Sequence, residues 1–266
     1  MGIPVEFASG KPLIGMVHLL PLPGSPRWSG RMDQVIERAL RDAAALIGAG
    51  FDGLLLENLG DTPFWPAQVE PETIAAMSVV ADRLRNHSEL PLGINVLRND
   101  ARAAIAIAGA TGAAFIRVNV HTGAMLTDQG WIEGRAAETL RTRARLDATV
   151  AICADVLVKH AIAPPGADLV QVAVDTVERG LADVLIITGA ATGAPTDPDR
   201  ATRIKQALPH VPVWIGSGVT AETVRQLLAV ADGAIVGSSI KIDGHTGNPV
   251  DAARAADLVK AARALR

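Results

Sequence analysis

The chain has 266 residues, enough for one large domain or two of average size with a sizeable core. Its formal net charge of −3 gives no broad basic field, which argues against nucleic acid as a partner. The single cysteine, Cys153, excludes an intramolecular disulfide framework. The first residues carry no signal-peptide pattern, and the longest uncharged apolar run, residues 103–116, is too short to span a bilayer. We therefore expect a cytoplasmic protein without a membrane span.

Strand and helix signals alternate along the chain. Apolar, β-branched runs predict eight strands, at residues 12–18, 51–58, 90–96, 114–120, 149–158, 182–188, 211–215 and 231–236. Helical segments follow them at residues 33–47, from about 71, from 99 or 100 to 110, and at 132–146, 167–179, 197–208, 222–229 and 250–265. This alternation implies parallel strands with right-handed crossovers, and eight units close into a single α/β domain, a (β/α)8 barrel over residues 1–266.

Two glycine turns follow the last two predicted strands. Glycine there exposes bare backbone N–H groups, and the helix start that follows adds partial positive charge. A single turn of this kind is ordinary punctuation, but two in tandem after strands seven and eight of a barrel predict a phosphate cradle. The threonine-glycine pairs after strand six complete it. The predicted phosphate-binding residues are Gly216, Ser217, Gly218, Gly237, Ser238, Ser239, Thr188, Gly189, Thr192 and Gly193.

Polar residues interrupt the apolar strands near their carboxyl ends. Period-two alternation places Arg117, Asn119 and His121 on one face of strand four, and Asp155 and Lys159 on one face of strand five. Because uncompensated burial of such groups is costly, we expect them at the barrel mouth. The candidates for chemistry are Lys159, Glu57, Asp155, Arg117, Asn119 and His18, and those for substrate binding are Asn58, Asn95, Asn99, His121 and His160.

Each candidate also has a structural interpretation. Arg117 and Asp155 can form a salt bridge inside the barrel, Asn99 can cap a helix, and Glu57 can pair with an arginine. Lys159 is the residue with most chemical options, because partial desolvation near Arg117 lowers a lysine pKa. It can act as a base, as a Schiff-base nucleophile or as a point charge for a substrate anion, and we favour the anion or acid/base role.

No cofactor is required by the sequence. The segments GSGVT and ITGAATG match neither a dinucleotide fingerprint nor a P-loop. Mg²⁺ binding through Glu57, Asn58, Asp61 and Asp155 is possible in principle, but their spacing is not that of a tight metal motif.

The loop at residues 19–32 is long and contains Pro21, Pro23, Pro26 and Trp28. Its length and its exposed-looking tryptophan predict a lid over the mouth. A surface loop stiffened by proline, or an oligomer contact, is the alternative interpretation.

Long motifs spread over the whole chain resemble the BtpA/SgcQ family. They are IGMVHLLPLPGSP, DGLLLENLGDTPF, PLGINVLRND, FIRVNVHTGA, ADVLVKHA, ITGAATGAPTD, IGSGVT and IVGSSIKIDG. The resemblance implies the barrel and a site at its mouth, without naming a substrate.

Two functions from different classes remain open. One is an enzyme acting on a small phosphorylated molecule, a sugar phosphate or nucleotide-like compound, by isomerisation, aldol-type cleavage or glycosidic-bond cleavage. The other, implied by the resemblance, is a non-catalytic assembly or stability factor for a membrane photosystem complex. A scaffold does not need a ring of buried polar groups, so the sequence favours the enzyme. We also expect a homo-oligomer.

Overall fold

The computed structural model describes residue 7 and residues 10–189 and 196–265. Ten strands occur in this part of the chain: β1 Leu13–His18, β2 Gly53–Glu57, β3 Leu92–Asn95, β4 Phe115–Val118, β5 Ala124–Thr127, β6 Gly130–Glu133, β7 Ala151–Val156, β8 Val184–Ile187, β9 Val213–Ile215 and β10 Gly233–Val236. The helices are α1 Met32–Ala49, α2 Pro71–Arg85, α3 Ala101–Thr111, α4 Ala136–Arg145, α5 Leu169–Glu178, α6 Pro198–Ala207, α7 Val224–Val230 and α8 Ala252–Ala262.

Eight of these strands form a closed barrel in the order β1-β10-β9-β8-β7-β4-β3-β2, and each neighbouring pair is parallel. The predicted fold class, a (β/α)8 barrel, is therefore confirmed. All eight barrel strands point the same way, so their carboxyl ends meet at one face, where the long loops lie.

The core has two layers, as expected for strands that are covered on both faces. Inside the barrel, apolar side chains from alternate positions pack together, among them Met16, Leu55, Phe115 and Trp214. A larger cluster fills the space between the strands and the surrounding helices. Nearer the carboxyl ends of the strands, the next inward-facing side chains are polar. These polar side chains line the candidate site.

Three aspartates link neighbouring strands at the face of the barrel opposite the mouth. Asp52, Asp183 and Asp232 each stand just before a strand, in the short turn after a helix. Their carboxylates accept the backbone N–H groups of Leu13, Ile152 and Val213, at 2.7 to 2.9 Å, on the neighbouring strands. These bonds fix the start of one strand against the next, so the aspartates are structural rather than functional.

The prediction of a helix over residues 132–146 is wrong at its start. Residues 124–127 and 130–133 form the antiparallel hairpin β5-β6, and α4 begins only at Ala136. Ile132 is buried with Val120, Met125 and Val158, whereas Trp131 and Glu133 are exposed. This alternation is the period of a strand, and four residues were too few to outweigh the adjoining helical pattern.

No helix in the described ranges combines the length and the apolar character needed to cross a bilayer.

Candidate active site at the carboxyl ends of the barrel strands

A cavity of about 960 Å³ opens at the carboxyl ends of the barrel strands. Its lining is apolar at the floor, where Met16 and Ile235 lie, and polar at the walls. Many of the predicted site residues contribute to these walls: His18, Glu57, Arg117, Asn119, Lys159, His160, Gly216, Ser217, Gly218, Gly237, Ser238 and Ser239. Its size fits a small-molecule ligand.

Arg117, Asn119 and Asp155 form a closed hydrogen-bond network in one wall. Arg117 Nη2 donates to both carboxylate oxygens of Asp155 at 3.1 Å, and Asn119 Nδ2 donates to Asp155 Oδ2 at 2.7 Å. Burial lowers the pKa of the Arg117 guanidinium, but Asp155 and Glu57 together raise that pKa by more. Asp155 thus anchors Arg117 and Asn119 in fixed positions, and because these two residues take its carboxylate oxygens, it is poorly placed to act as a proton carrier.

His18 and Glu57 face each other across adjacent strand ends, with His18 Nε2 lying 3.7 Å from Glu57 Oε1. His18 Nδ1 lies 3.1 Å from the carbonyl oxygen of Thr246. Because a carbonyl only accepts, Nδ1 carries the proton and Nε2 presents its lone pair toward Glu57. Burial, followed by the charge of Lys241, lowers the pKa of His18 to about 3, so its ring is neutral at pH 7.

The pKa of Glu57 is shifted in the opposite direction to that of His18. Burial raises the pKa of its carboxyl group above the usual value, although Arg117, Lys159 and Arg98 pull that pKa down. A carboxyl group of this kind keeps its proton to higher pH than an exposed glutamate does, so it is better suited to deliver a proton to a ligand.

Lys159 reaches the mouth from a loop rather than from a strand. The strand β7 ends at Val156, and Leu157 and His160 adopt left-handed backbone angles, so the period-two argument for Lys159 was wrong although the residue lines the cavity. Its backbone N–H donates to Thr188 Oγ1 at 3.0 Å. Burial, then the charges of Arg117 and Arg98, lower the pKa of its ammonium group. His160 beside it is exposed, and burial of part of its ring lowers its pKa.

The two glycine turns form the part of the cavity wall that follows β9 and β10. Gly216 and Gly237 occupy inward positions, where a Cβ on Gly216 would lie 2.5 Å from Ile186 Cγ2 and one on Gly237 would lie 3.5 Å from His18 Cε1. Gly218 has a positive φ of 71°. Within the described residues, the backbone N–H groups of Gly218, Ser238 and Ser239 donate to no protein acceptor. These donors border the cavity and are available to a ligand.

Of the predicted cradle residues after β8, only Thr188 and Gly189 lie within the described part of the chain. Gly189 donates its N–H to Ser217 Oγ at 2.7 Å, which ties this end to the first glycine turn. Thr188 is buried and binds Lys159 rather than lining the cavity. Thr192 and Gly193 lie outside the described residues.

Four predicted binding residues do not line the cavity. Their polar side-chain atoms form hydrogen bonds within the protein, mostly with backbone groups. Asn58 Oδ1 accepts Leu97 N–H at 2.7 Å. Asn99 both donates to and accepts from Val120. Asn95 donates to Arg117 O and Asn119 Oδ1, and His121 Nε2 donates to Gly180 O at 2.7 Å. The structure places these residues behind the site, where they position its loops.

The oxygen ligands considered for Mg²⁺ do not converge. Asp61 binds Asn58 and the backbone of Leu22, Asp155 binds Arg117 and Asn119, and Glu57 faces His18. Among the described residues, no group of three or more His, Cys, Asp or Glu side chains is arranged to hold a metal ion.

The loop at residues 19–32 borders the mouth through Leu20, Pro21 and Arg27. Leu22 is fully buried, and its N–H donates to Asp61 Oδ1 at 2.7 Å. Trp28 is half-buried against the main core rather than exposed, so the expectation of an exposed aromatic in this loop was wrong. The loop is anchored in its middle.

Sequence reasoning missed a buried ionic cluster behind His18. Lys241 is fully buried and donates from Nζ to Asp42 Oδ2 and to Met16 O, both at 3.1 Å. Asp42 also accepts the N–H of Val250 at 2.8 Å, and Arg38 donates to Gly247 O at 3.1 Å. The cluster holds the segment that carries Thr246 over the mouth. Its sequence signal was an acid, Asp42, within the buried stripe of α1.

A family model described as the BtpA family matches residues 9–264. The chain belongs to the BtpA family. It is 48% identical over 255 residues to the photosystem I biogenesis protein BtpA of Synechocystis, covering 96% of this chain and 89% of that protein. An uncharacterised protein of Thermococcus kodakarensis is 50% identical, covering 96% of this chain and 97% of that one.

Solved structures share the fold of this BtpA family member. One described as native KDPGal has a TM-score of 0.60 at 18% identity and covers 98% of both chains. The N-(5'-phosphoribosyl)anthranilate isomerase of Pyrococcus furiosus has a TM-score of 0.59 at 12% identity, covering 96% of this chain and 99% of that one. At these identities the likeness establishes a shared barrel and nothing about the reaction.

Proposed function

We propose that this BtpA family protein is an enzyme that transfers protons on a small phosphorylated molecule. One observation carries the proposal: a single cavity is lined both by backbone N–H groups of two glycine turns that have no acceptor within the described residues and by Glu57 and Lys159, whose pKa values are moved in opposite directions. A cavity that combines donors for an anion with acid and base groups of shifted pKa has the composition of an active site rather than of a scaffold.

The phosphate binds the N–H groups of Gly218, Ser238 and Ser239, since helix starts and glycine turns favour anions there. The rest of the molecule then extends across the mouth toward the carboxyl ends of β2 and β4. Isomerisation, aldol-type cleavage and glycosidic-bond cleavage all need a proton moved and developing charge stabilised at that position.

Each polar residue of the far wall has a distinct task. Glu57, with its raised pKa, delivers or accepts the proton. The neutral Nε2 of His18 accepts a hydrogen bond from a ligand hydroxyl or from Glu57. Arg117 and Asn119, held by Asp155, stabilise negative charge, and Lys159 acts as the base or polarises the reacting oxygen.

The first experiment measures ligand binding by melting temperature and calorimetry, using inorganic phosphate, glycerol 3-phosphate and a panel of phosphorylated metabolites, each with and without Mg²⁺. The informative variant is Gly237→Val, because a Cβ at this position meets Met16 and His18 only at ordinary contact distance and the branched side chain extends into the cradle. Gly48→Ala, on the exposed face of α1 with open space around it, is the matched control.

We expect wild type and Gly48→Ala to bind glycerol 3-phosphate alike, and Gly237→Val to lose at least about tenfold in affinity, the equivalent of one charge-assisted hydrogen bond. Gly216→Val is less useful, because its side chain collides with Ile186. Equal affinity for the three proteins would place the phosphate elsewhere.

The second candidate function is assembly or stabilisation of a membrane photosystem complex, which the 48% identity to the Synechocystis biogenesis protein favours. The two functions separate in a Synechocystis strain that lacks its own BtpA. If this protein carrying Glu57→Gln restores photosystem I in that strain as well as its own wild type does, the scaffold function is sufficient there. Failure of a folded, stable Glu57→Gln protein supports chemistry.

Homo-oligomerisation, a cytoplasmic location and the absence of a nucleic-acid partner remain predictions. Light scattering of the purified protein tests the first of them directly.

A further inference from the structure

Arg98 is a buried cation at the cavity wall that the proposed chemistry does not use. It follows β3, lines the cavity and exposes only 7% of its surface. Its one side-chain hydrogen bond in the described structure runs from Nη2 to the carbonyl oxygen of Lys159, at 3.0 Å. A guanidinium has five N–H donors, so most of its donor capacity is unused.

Among the described residues, no carboxylate forms an ion pair with Arg98. Burial lowers the pKa of its guanidinium, while Asp155, Glu57 and Asp128 raise that pKa from a distance. Asp155 is saturated by Arg117 and Asn119. A buried guanidinium without a close counter-charge is costly, and proteins retain such groups where an anion binds.

The backbone around Arg98 is fixed from two sides. Asn58 Oδ1 accepts the N–H of Leu97 at 2.7 Å, and the Arg98 N–H donates to Trp65 O at 3.1 Å. Together with the bond to Lys159 O, these contacts hold the guanidinium in place before any ligand arrives. Preorganisation of this kind lowers the entropic cost of binding.

Arg98 follows β3, which lies across the barrel from β9 and β10, the strands that the glycine turns follow. The two sets of donors are therefore separated by the barrel opening. We infer that Arg98 forms a second anion subsite, so that the ligand carries a phosphate at one end and a second acidic group, a carboxylate or another phosphate, at the other. This inference rests on the proposed function and narrows its substrate class.

The test compares probes that differ in one acidic group. Glycerol 3-phosphate and 3-phosphoglycerate share the phosphate and differ by a hydroxymethyl group against a carboxylate. Fructose 6-phosphate and fructose 1,6-bisphosphate repeat the comparison with a longer spacing. Dissociation constants are measured by calorimetry for wild type, Arg98→Gln, Arg98→Lys and the control Arg83→Gln, which alters an exposed arginine on α2.

We expect wild type and Arg83→Gln to bind the doubly acidic member of at least one pair about tenfold or more tighter than its partner, since an added charged hydrogen bond is worth that much. Arg98→Gln abolishes this preference and leaves affinity for the singly acidic probe within about twofold. Arg98→Lys, which keeps the charge, retains part of the preference and serves if Arg98→Gln does not fold.

Two results would overturn the inference: wild type prefers the doubly acidic probe in neither pair, or Arg98→Gln keeps such a preference. If the singly acidic probes still bind wild type but bind Gly237→Val more weakly, only the inference fails. That result leaves the proposed function standing. If no probe binds wild type, the proposed function and the inference fail together.

Discussion

His18 couples the chemistry of the mouth to acid stability. Its folded-state pKa of about 3 lies below the ordinary 6.5, so below pH 6.5 the unfolded chain takes up a proton that the folded chain refuses. The contribution of His18 to stability is complete above pH 6.5 and is lost as the pH falls toward 3. At about 1.4 kcal/mol per pKa unit, the loss reaches roughly 3 kcal/mol by pH 4.

His18→Gln, which cannot take up this proton, should therefore lose roughly 3 kcal/mol less free energy of unfolding than wild type between pH 7 and pH 4. Urea denaturation at the two pH values measures the difference. Parallel pH curves for the two proteins would show that His18 is not held neutral.

Lys159 and Glu57 are the residues on which turnover should depend. A general acid or base contributes about two to four powers of ten in rate, so Lys159→Met and Glu57→Gln should each lower kcat by that order while glycerol 3-phosphate still binds. Once a substrate is found, steady-state kinetics with calorimetry on the same variants checks both parts. Near-wild-type kcat in both variants means that the chemistry lies on other residues.

Sequence reasoning located many of the residues that line the cavity but did not predict the hydrogen bonds that distant loops make with polar side chains. His18 and Glu57, predicted at strand ends, and Arg117, predicted from strand periodicity, reach the cavity. His121 fits the same periodicity and Asn99 was a predicted turn residue, but backbone groups of later loops bind their polar atoms, and no local signal indicates such a partner. The sequence does not indicate that Arg98 is buried, because its burial depends on Trp65 and Lys159, which lie far from it along the chain.

Among the elements, the loop at residues 19–32 is tied to the loop after β2 by a hydrogen bond from Leu22 N–H to Asp61. Asp61→Ala removes the acceptor and also the partner of the Asn58 amide, so both flanking loops lose an anchor. Hydrogen exchange at the Leu22 amide should accelerate at least about tenfold, since loss of a charged hydrogen bond weakens local protection by that much.

The control for this exchange experiment is Asp33→Ala, at the exposed start of α1, which pairs only with Arg31 among the described side chains. Asp33→Ala should leave Leu22 unchanged. Unaltered exchange in Asp61→Ala would mean that the buried Leu22 side chain alone holds the loop.

Element prediction from sequence succeeded where a segment was long and strongly periodic. The strands β1, β2 and β7 are continuous buried runs, and Asp100 caps α3 by accepting the N–H of Ala103, one of the two capping options. The hairpin β5-β6 was missed because each strand has four residues and its apolar side belongs to a separate small cluster with Val120 and Val158. Short-range periodicity cannot indicate a packing partner that lies far along the chain.

For the whole molecule, the barrel follows from counting: eight strand-helix units in one chain leave closure as the arrangement without sheet edges. Closure brings the carboxyl ends of β1, β2, β4, β9 and β10 around one opening, and this places Glu57 and Gly237 in one cavity, on either side of β1, although they are far apart in sequence. The substrate does not follow from the fold, because barrels of this kind carry many chemistries on the same frame.

The most direct test of the central claim, that the mouth holds a phosphorylated ligand between the glycine turns and the polar wall, is a crystal structure with glycerol 3-phosphate at a concentration that raises the melting temperature. We predict the phosphate within hydrogen-bond distance of the N–H groups of Gly218, Ser238 and Ser239, with the carbon chain pointing toward Glu57. A phosphate bound outside the cavity, or a cavity without ligand at that concentration, would contradict the account.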